Sequence, residues 1–403
     1  MNRWTALAIA CLCSCAGPPE ARDAGGARWV RTYWSKSRRQ GDGAVTNRVN
    51  SPDTATGKFK DRPEAKADGR LVFTIAEDPR DLAGAELTLE LWGGHPGTAN
   101  KRFTLNGGAP YAIPEVGAAE GHCTYSFPSI PLRLQDVRRG ENVFQFSCDR
   151  GTTFWGHFLF VIAALRVAFR TPPRAIRVVP GLQVSGERAE LTLEGDLDAI
   201  GLVEVEASFW GYDDRGNGDG SHGFTKEGRP EAIVGRADAP PFRVSWDLSM
   251  IPDQEEISFR TILHPRDDAS LSMILPASPF PLHGRSVSIH APAVLPKPFW
   301  SRAGNAKTCT IELDRDPSEI QRAELHLRIW DGGGGTVGSP FTLNGRPLPI
   351  ASAGRHDFLY RVVPIDPAWL RKGPNEIRVL SDTDHHGIEM LLPGPAIVLR
   401  ARR

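Results

Sequence analysis

The sequence predicts an all-β protein in which two related β-sandwiches flank a different one. Three observations carry this reading: a duplicated block, two-residue alternation of apolar side chains within it, and turn formers between the alternating runs. Residues 76–107 (AEDPRDLAGAELTLELWGGHPGTANKRFTLNG) recur as residues 314–345 (DRDPSEIQRAELHLRIWDGGGGTVGSPFTLNG), without a gap and with about half of the positions identical. A second block keeps the order, Gly121–Asn142 matching Gly354–Asn375. A third and shorter match sets Trp34-Ser35-Lys36 against Trp300-Ser301-Arg302. Residues 28–171 and 293–403 are therefore expected to be two copies of one domain, with residues 172–292 as a separate domain between them.

Within each copy the elements are short. Asp78-Pro79 and Asp316-Pro317 have the form of a helix start, the Asp capping backbone N–H groups and the proline at a position that needs no N–H. Only about one turn follows, because Glu86–Trp92 and Glu324–Trp330 alternate at once. Leu87, Leu89 and Leu91 share one face, as do Leu325, Leu327 and Ile329. The opposite face carries Glu86, Thr88, Glu90 and Trp92 in the first copy, and Glu324, His326, Arg328 and Trp330 in the second. Further strands are expected at Phe103–Leu105, Tyr125–Ile130, Val143–Cys148 and Phe158–Phe169, with counterparts at Phe341–Leu343, Phe358–Val363, Glu376–Leu380 and Ala396–Ala401. The stretch 39–69 of the first copy, with Lys58, Lys60, Arg62 and Lys66, reads as a solvated loop.

Composition bounds the function. A chain of 403 residues, 40% hydrophobic, has room for several cores. A formal net charge of zero gives no bulk attraction to nucleic acid or to anionic membrane. Met1-Asn2-Arg3 followed by the apolar run to Ala16 has the form of an export signal too short to span a bilayer, so residues 1–16 are expected to be processed and 17–27 to form a tether. Leu12-Cys13-Ser14-Cys15 resembles a bacterial lipobox, which implies lipidation at Cys15 and residence at the cell envelope; simple cleavage after Ala16 implies an extracellular protein instead. Contact with membrane is expected only through that anchor.

Export places the remaining cysteines in an oxidising compartment. Cys123 and Cys148 lie in strand-like parts of the first copy and are expected to form a disulfide, whereas the second copy has His356 and Ser381 at the matching positions. Cys309 is expected to be a buried inert thiol.

The order of strands, the Phe-Thr-Leu-Asn-Gly hairpins and the Gly-x-Asn turns (Gly140-Glu141-Asn142, Gly373-Pro374-Asn375) resemble the jelly-roll of galactose-binding-like and carbohydrate-binding domains of bacterial secreted proteins. The middle segment, with Val203–Ala207, Pro241–Asp247 ending in Trp246-Asp247, and Ile257–Leu263, looks like the Ig-like domains of bacterial extracellular carbohydrate-active proteins, which implies a spacer role. Ala291–Pro298 reads as a stiff linker.

The loops after Trp92 and Trp330 are glycine-rich but lack the Gly-Lys-Ser/Thr ending of a phosphate loop, which excludes nucleotide binding of that kind. A tryptophan at the edge of such a loop has two readings: a platform for a pyranose ring, or a plug for the end of the sandwich. A second loop cluster follows the Gly-x-Asn strand, running from Asp149 through Trp155 to His157 in the first copy and over Asp382, Asp384, His385 and His386 in the second. Aromatic, imidazole and carboxylate groups together suit sugar recognition by stacking and hydrogen bonding. The candidate glycan-binding residues are thus Trp92, His95, Asp149, Trp155, His157, Trp330, Asp382, Asp384, His385 and His386. Asp213, Asn217 and Asp219 are candidate ligands for a structural calcium ion, although EF-hand spacing fails. With no Gly-x-Ser-x-Gly elbow and no His-Glu-x-x-His, the sequence points to non-catalytic polysaccharide binding. A protein-contacting scaffold and a carbohydrate-active hydrolase or lyase stand as alternatives.

Overall fold

The computed structural model describes residues 26–35, 48–52, 61, 63–94, 98–114, 125–126, 128–149, 156–209, 224–226, 229–231 and 233–402. The leader, Cys15, Lys58, Lys60, Arg62, His95, Cys123, Trp155, Asp213, Asn217 and Asp219 lie outside the described residues.

The chain is all-β. Apolar alternation places one face of each strand inward, and paired sheets close over three separate cores. In the first copy the long strands Leu82–Trp92 and His157–Phe169 pair antiparallel, and they face a sheet built from Arg70–Ile75, Gly140–Asp149, Ala99–Leu105 and Tyr111–Ala112. Leu87, Leu89 and Leu91 are all at most 1% exposed, as the alternation requires. The second copy repeats this with Ile320–Gly332 between Ala396–Ala401, Gly387–Met390 and Asp357–Ile365, over a sheet containing Lys307–Leu313, Gly373–Val379 and Phe341–Leu343. Asp78 and Asp316 cap single 3-10 turns, accepting from the backbone N–H of Arg80 and Ser318, both at 2.9 Å. Among the described residues no helix is long and apolar enough to cross a membrane.

Three expectations change. The first concerns the start of the chain: Arg28–Trp34 pairs on one side with His157–Phe169 and on the other with Leu271–Ile274 of the middle segment. One eleven-stranded sheet therefore runs from the first copy into the middle segment, and Trp29 is buried in the middle core. Strand pairing thus joins the middle segment directly to the first copy. The second concerns the boundary at 293, because Val287–His290 already pairs with Ala396–Ala401 of the second copy.

The third concerns the match of Trp34 with Trp300. Val287 pairs with Arg400 as Val30 pairs with Ala168, so Val287–His290 is the counterpart of Arg28–Trp34. Trp300-Ser301 pairs with Gly387–Met390 where Arg48–Asn50 pairs with His157–Leu159. Trp300 therefore corresponds to Arg48, and the shared Trp-Ser dipeptide is a coincidence of sequence.

A fourth cluster joins the two copies. Trp92, Tyr125 and Leu159 of the first meet Phe358 and Leu391 of the second, with Trp330 packed against them. The outer faces of the two sheets touch at their tryptophan ends, and equivalent residues meet across the seam.

Candidate functional site

The seam decides what the tryptophans do. Trp92 is 7% exposed, Tyr125 stacks on Phe358, and Arg328 of the second copy donates from Nη1 to the Tyr125 carbonyl oxygen at 3.4 Å. His157, 6% exposed, sets its ring 5.2 Å from that of Trp92. The predicted stacking role of Trp92 and the hydroxyl-binding role of His157 are corrected accordingly: both rings are covered by protein, leaving no face for a sugar. Glu90 and Arg328, at matching positions on the face read as polar, are each 1% exposed. The alternation holds, but at its tryptophan end that face is covered by the other copy.

Asp149 lies at the edge of the first copy. It accepts from Asn100 Nδ2 at 2.6 Å and from Arg102 Nη1 at 2.9 Å, and these partners, Asn100 first, hold its carboxyl below the usual range. Its side chain remains 45% exposed.

In the second copy several side chains converge on one rim of the sandwich. The backbone builds the rim first. Asp331, 2% exposed, accepts from the backbone N–H of Gly333 at 3.2 Å and of Ala353 at 2.9 Å, and from Ser352 Oγ. It thereby ties the glycine loop to the segment that carries His356, whose own N–H donates to the Asp331 carbonyl at 2.8 Å. His356 adopts φ +57°, a left-handed conformation uncommon outside glycine, so its ring turns back over the loop. Asp382 accepts from Thr336 N at 2.8 Å and from Thr336 Oγ1. Gly335 is required there, since a Cβ would lie 1.7 Å from Asp382 Oδ1. Asp382 therefore braces the glycine loop.

On this frame Trp330 lies 5.6 Å from His356 and 6.0 Å from His386, ring centre to ring centre. His356 Nε2 and His386 Nδ1 are 2.7 Å apart, and His385 sets its ring 4.7 Å from His386. Trp300 Nε1 donates to the His386 carbonyl, and the Arg302 guanidinium lies 4.2 Å over the Trp300 ring. Burial beside these rings, and then the neighbouring His356 and His385, hold the His386 pKa below its ordinary 6.5. A hydrogen bond between two imidazoles needs one nitrogen to accept, so at neutral pH the pair offers both a donor and an acceptor outward.

Of the predicted residues, the structure brings Trp330, His385 and His386 together, with Asp384 exposed on the same loop and Asp382 behind it. It adds His356, Trp300 and Arg302, which sequence reasoning did not select. His356 had been visible only as the counterpart of Cys123, and nothing in its own segment announces a left-handed backbone. Cys148 is buried, with Sγ 3.8 Å from the Val49 carbonyl oxygen; the predicted bridge depends on Cys123, outside the described residues. In the second copy the matching Ser381 is fully buried and donates from Oγ to the Gly333 carbonyl at 2.8 Å. Among the described residues no group of three or more His, Cys, Asp or Glu side chains is placed to hold a metal ion.

No protein-family model matches the chain, and no curated protein matches it. Similar solved structures include BuGH86 in complex with neoagarooctaose, at 12% identity over 55% of this chain and 34% of that one, TM-score 0.25. BpGH86A, a β-porphyranase of glycoside hydrolase family 86 from the human gut bacterium Bacteroides plebeius, matches at 11% identity over 67% and 43%, TM-score 0.24. A β-glucuronidase from an uncultured Clostridium sp. matches at 9% identity over 72% and 50%, TM-score 0.23. The chain spans half or less of each of these chains, and overlaps of this size assign it no activity.

Proposed function

We propose that the protein binds glycan without cleaving it, through the rim of the second copy. The observation that supports this reading is the convergence of His356, His385 and His386 beside Trp330 and Trp300 on loops braced by Asp331 and Asp382. Neutral imidazoles both give and accept hydrogen bonds, as sugar hydroxyls do, and adjacent indoles provide an apolar wall for ring C–H groups. Asp384 adds an exposed acceptor on the same loop.

In this reading the first copy serves as a buttress, since its Trp92 and His157 are committed to the interior. Export with lipidation at Cys15 would hold the binding rim at the cell envelope. Affinity electrophoresis of the full chain through gels containing agarose, xylan, pectin or pullulan tests the proposal. Retardation in at least one gel, abolished by His356→Ala with His386→Ala, supports it; unretarded migration in all four removes it.

A second reading, a scaffold that contacts other proteins, is favoured by the burial of Trp92 in the seam. It predicts that the rim variants leave every partner contact unchanged.

A further inference from the structure

The two copies differ sharply on the outer face of their main sheets, at the end of the strand away from the seam. In the second copy Arg322 and Arg400 are cross-strand partners there, and both reach the middle segment. Arg322 Nη1 donates to Ser249 Oγ at 3.3 Å, and Arg400 Nη1 to Glu187 Oε2 at 2.8 Å. The next carboxylate on the strand, Glu324, is 6% exposed and accepts from Arg322 Nη2 at 2.6 Å, with His326 Nε2 at 3.3 Å. Those polar groups are engaged with the protein, and the hollow of about 610 Å³ beside them is lined by charged side chains, among them Glu187, Arg322 and Arg400.

In the first copy the corresponding cross-strand partners are Gly84 and Ala168, and the next pair is Glu86 with Arg166. Two long side chains are replaced by two with almost none. What remains is a hollow of about 550 Å³, lined by Arg28, Gly84, Glu86, Pro131, Arg166 and Ala168. A Cβ built on Gly84 meets nothing within 4 Å. Glu86 sits 3.6 Å from Arg166 Nη1 and 3.8 Å from Arg28 Nη2, contacts too long to be hydrogen bonds. The carboxylate and the Arg166 guanidinium are each about three-quarters covered, at 27% and 29% side-chain exposure, so they face the hollow with hydrogen-bonding capacity in hand.

We propose that this hollow is a second carbohydrate site, separate from the rim, that takes one pyranose ring of a neutral sugar. A hydroxyl group both donates and accepts, so two adjacent hydroxyls accept from Arg166 while donating to Glu86, closing the gap between them. A carboxylate or sulfate only accepts and meets the charge of Glu86; an ammonium meets two guanidinium groups. Pro131 and Ala168 supply an apolar floor for ring C–H groups, and the volume lies in the range of small-molecule sites.

The test is saturation-transfer NMR on the full chain with the methyl pyranosides of galactose, glucose, mannose and xylose. At least one is expected to receive saturation, to keep it in the His356→Ala/His386→Ala variant, and to lose it in Gly84→Arg, which restores the side chain the second copy has. Glu86→Gln, which keeps the shape, is expected to weaken binding about tenfold. Gly84 has ordinary strand geometry and open space around it, so Gly84→Arg should melt with the wild type. The assignment is overturned if no pyranoside receives saturation, or if Gly84→Arg and Glu86→Gln bind as wild type does. Loss in the rim variant alone overturns it as well, and leaves the rim as the sugar site.

Discussion

Tyr125 and Phe358 stack with ring centres 4.6 Å apart and planes 9° from parallel, and they occupy matching positions of the duplicated block. The two copies meet as the halves of a homodimer do, each offering the same patch to the other. Trp92 and Trp330, also at matching positions, complete the contact. Each copy therefore covers the aromatic patch of the other.

Truncating either stacked ring should loosen the seam. Tyr125→Ala or Phe358→Ala is expected to cost about 3 kcal/mol, the usual size for removing a buried aromatic. The double variant should cost less than the sum of the two by about 1 kcal/mol, the part that belongs to the ring pair. Denaturant unfolding followed by tryptophan fluorescence measures all three; strict additivity would show that the rings do not interact.

His386 should titrate low. Burial, then His356 and His385, depress its folded pKa below 6.5, so below that pH the unfolded chain takes up a proton that the folded chain resists. The stabilisation is complete above pH 6.5 and is lost as pH falls through the folded value. Imidazole Hε1 shifts followed by NMR should give a midpoint for His386 below 6.5, and His356→Ala should raise it. A midpoint at or above 6.5 contradicts the packing described for the rim.

Cys309 should be silent to thiol reagents. Burial pushes its pKa up to about 12, with Glu376 adding to the shift, so almost no thiolate exists at pH 8. Iodoacetamide followed by peptide mass mapping should label Cys309 only after unfolding. Labelling in the folded protein at the rate of a free thiol would mean that the strand Lys307–Leu313 opens readily.

Much of the fold was legible because a period of two has a physical cause. Leu325, Leu327 and Ile329 had to share a face, and all three are fully buried. The fate of the other face was not legible. Glu90, Arg328 and Trp92 stand on a side whose polarity signals solvent, yet its burial comes from a second copy more than two hundred residues along the chain. Pairwise matching also misled where identity was short, since Trp300 takes the place of Arg48 and not of Trp34.

At the rim, His385 and His386 stood out as a loop cluster, and so did Asp382, although its role is to brace Thr336. His356 arrives from a different loop through a left-handed turn, and Trp300 from a two-residue strand. Neither convergence leaves a local pattern. The hollow beside Glu86 was hidden for a simpler reason: it consists of side chains that Gly84 and Ala168 do not have.

The most direct test sets rim against seam. Polysaccharide retardation should be compared for the wild type, Trp92→Leu and His356→Ala/His386→Ala, with each variant's melting temperature measured alongside. The expected result is that Trp92→Leu melts lower but is retarded as the wild type is, while the rim variant melts close to wild type and migrates freely. Retardation lost in folded Trp92→Leu and kept in the rim variant would contradict the assignment of binding to the rim.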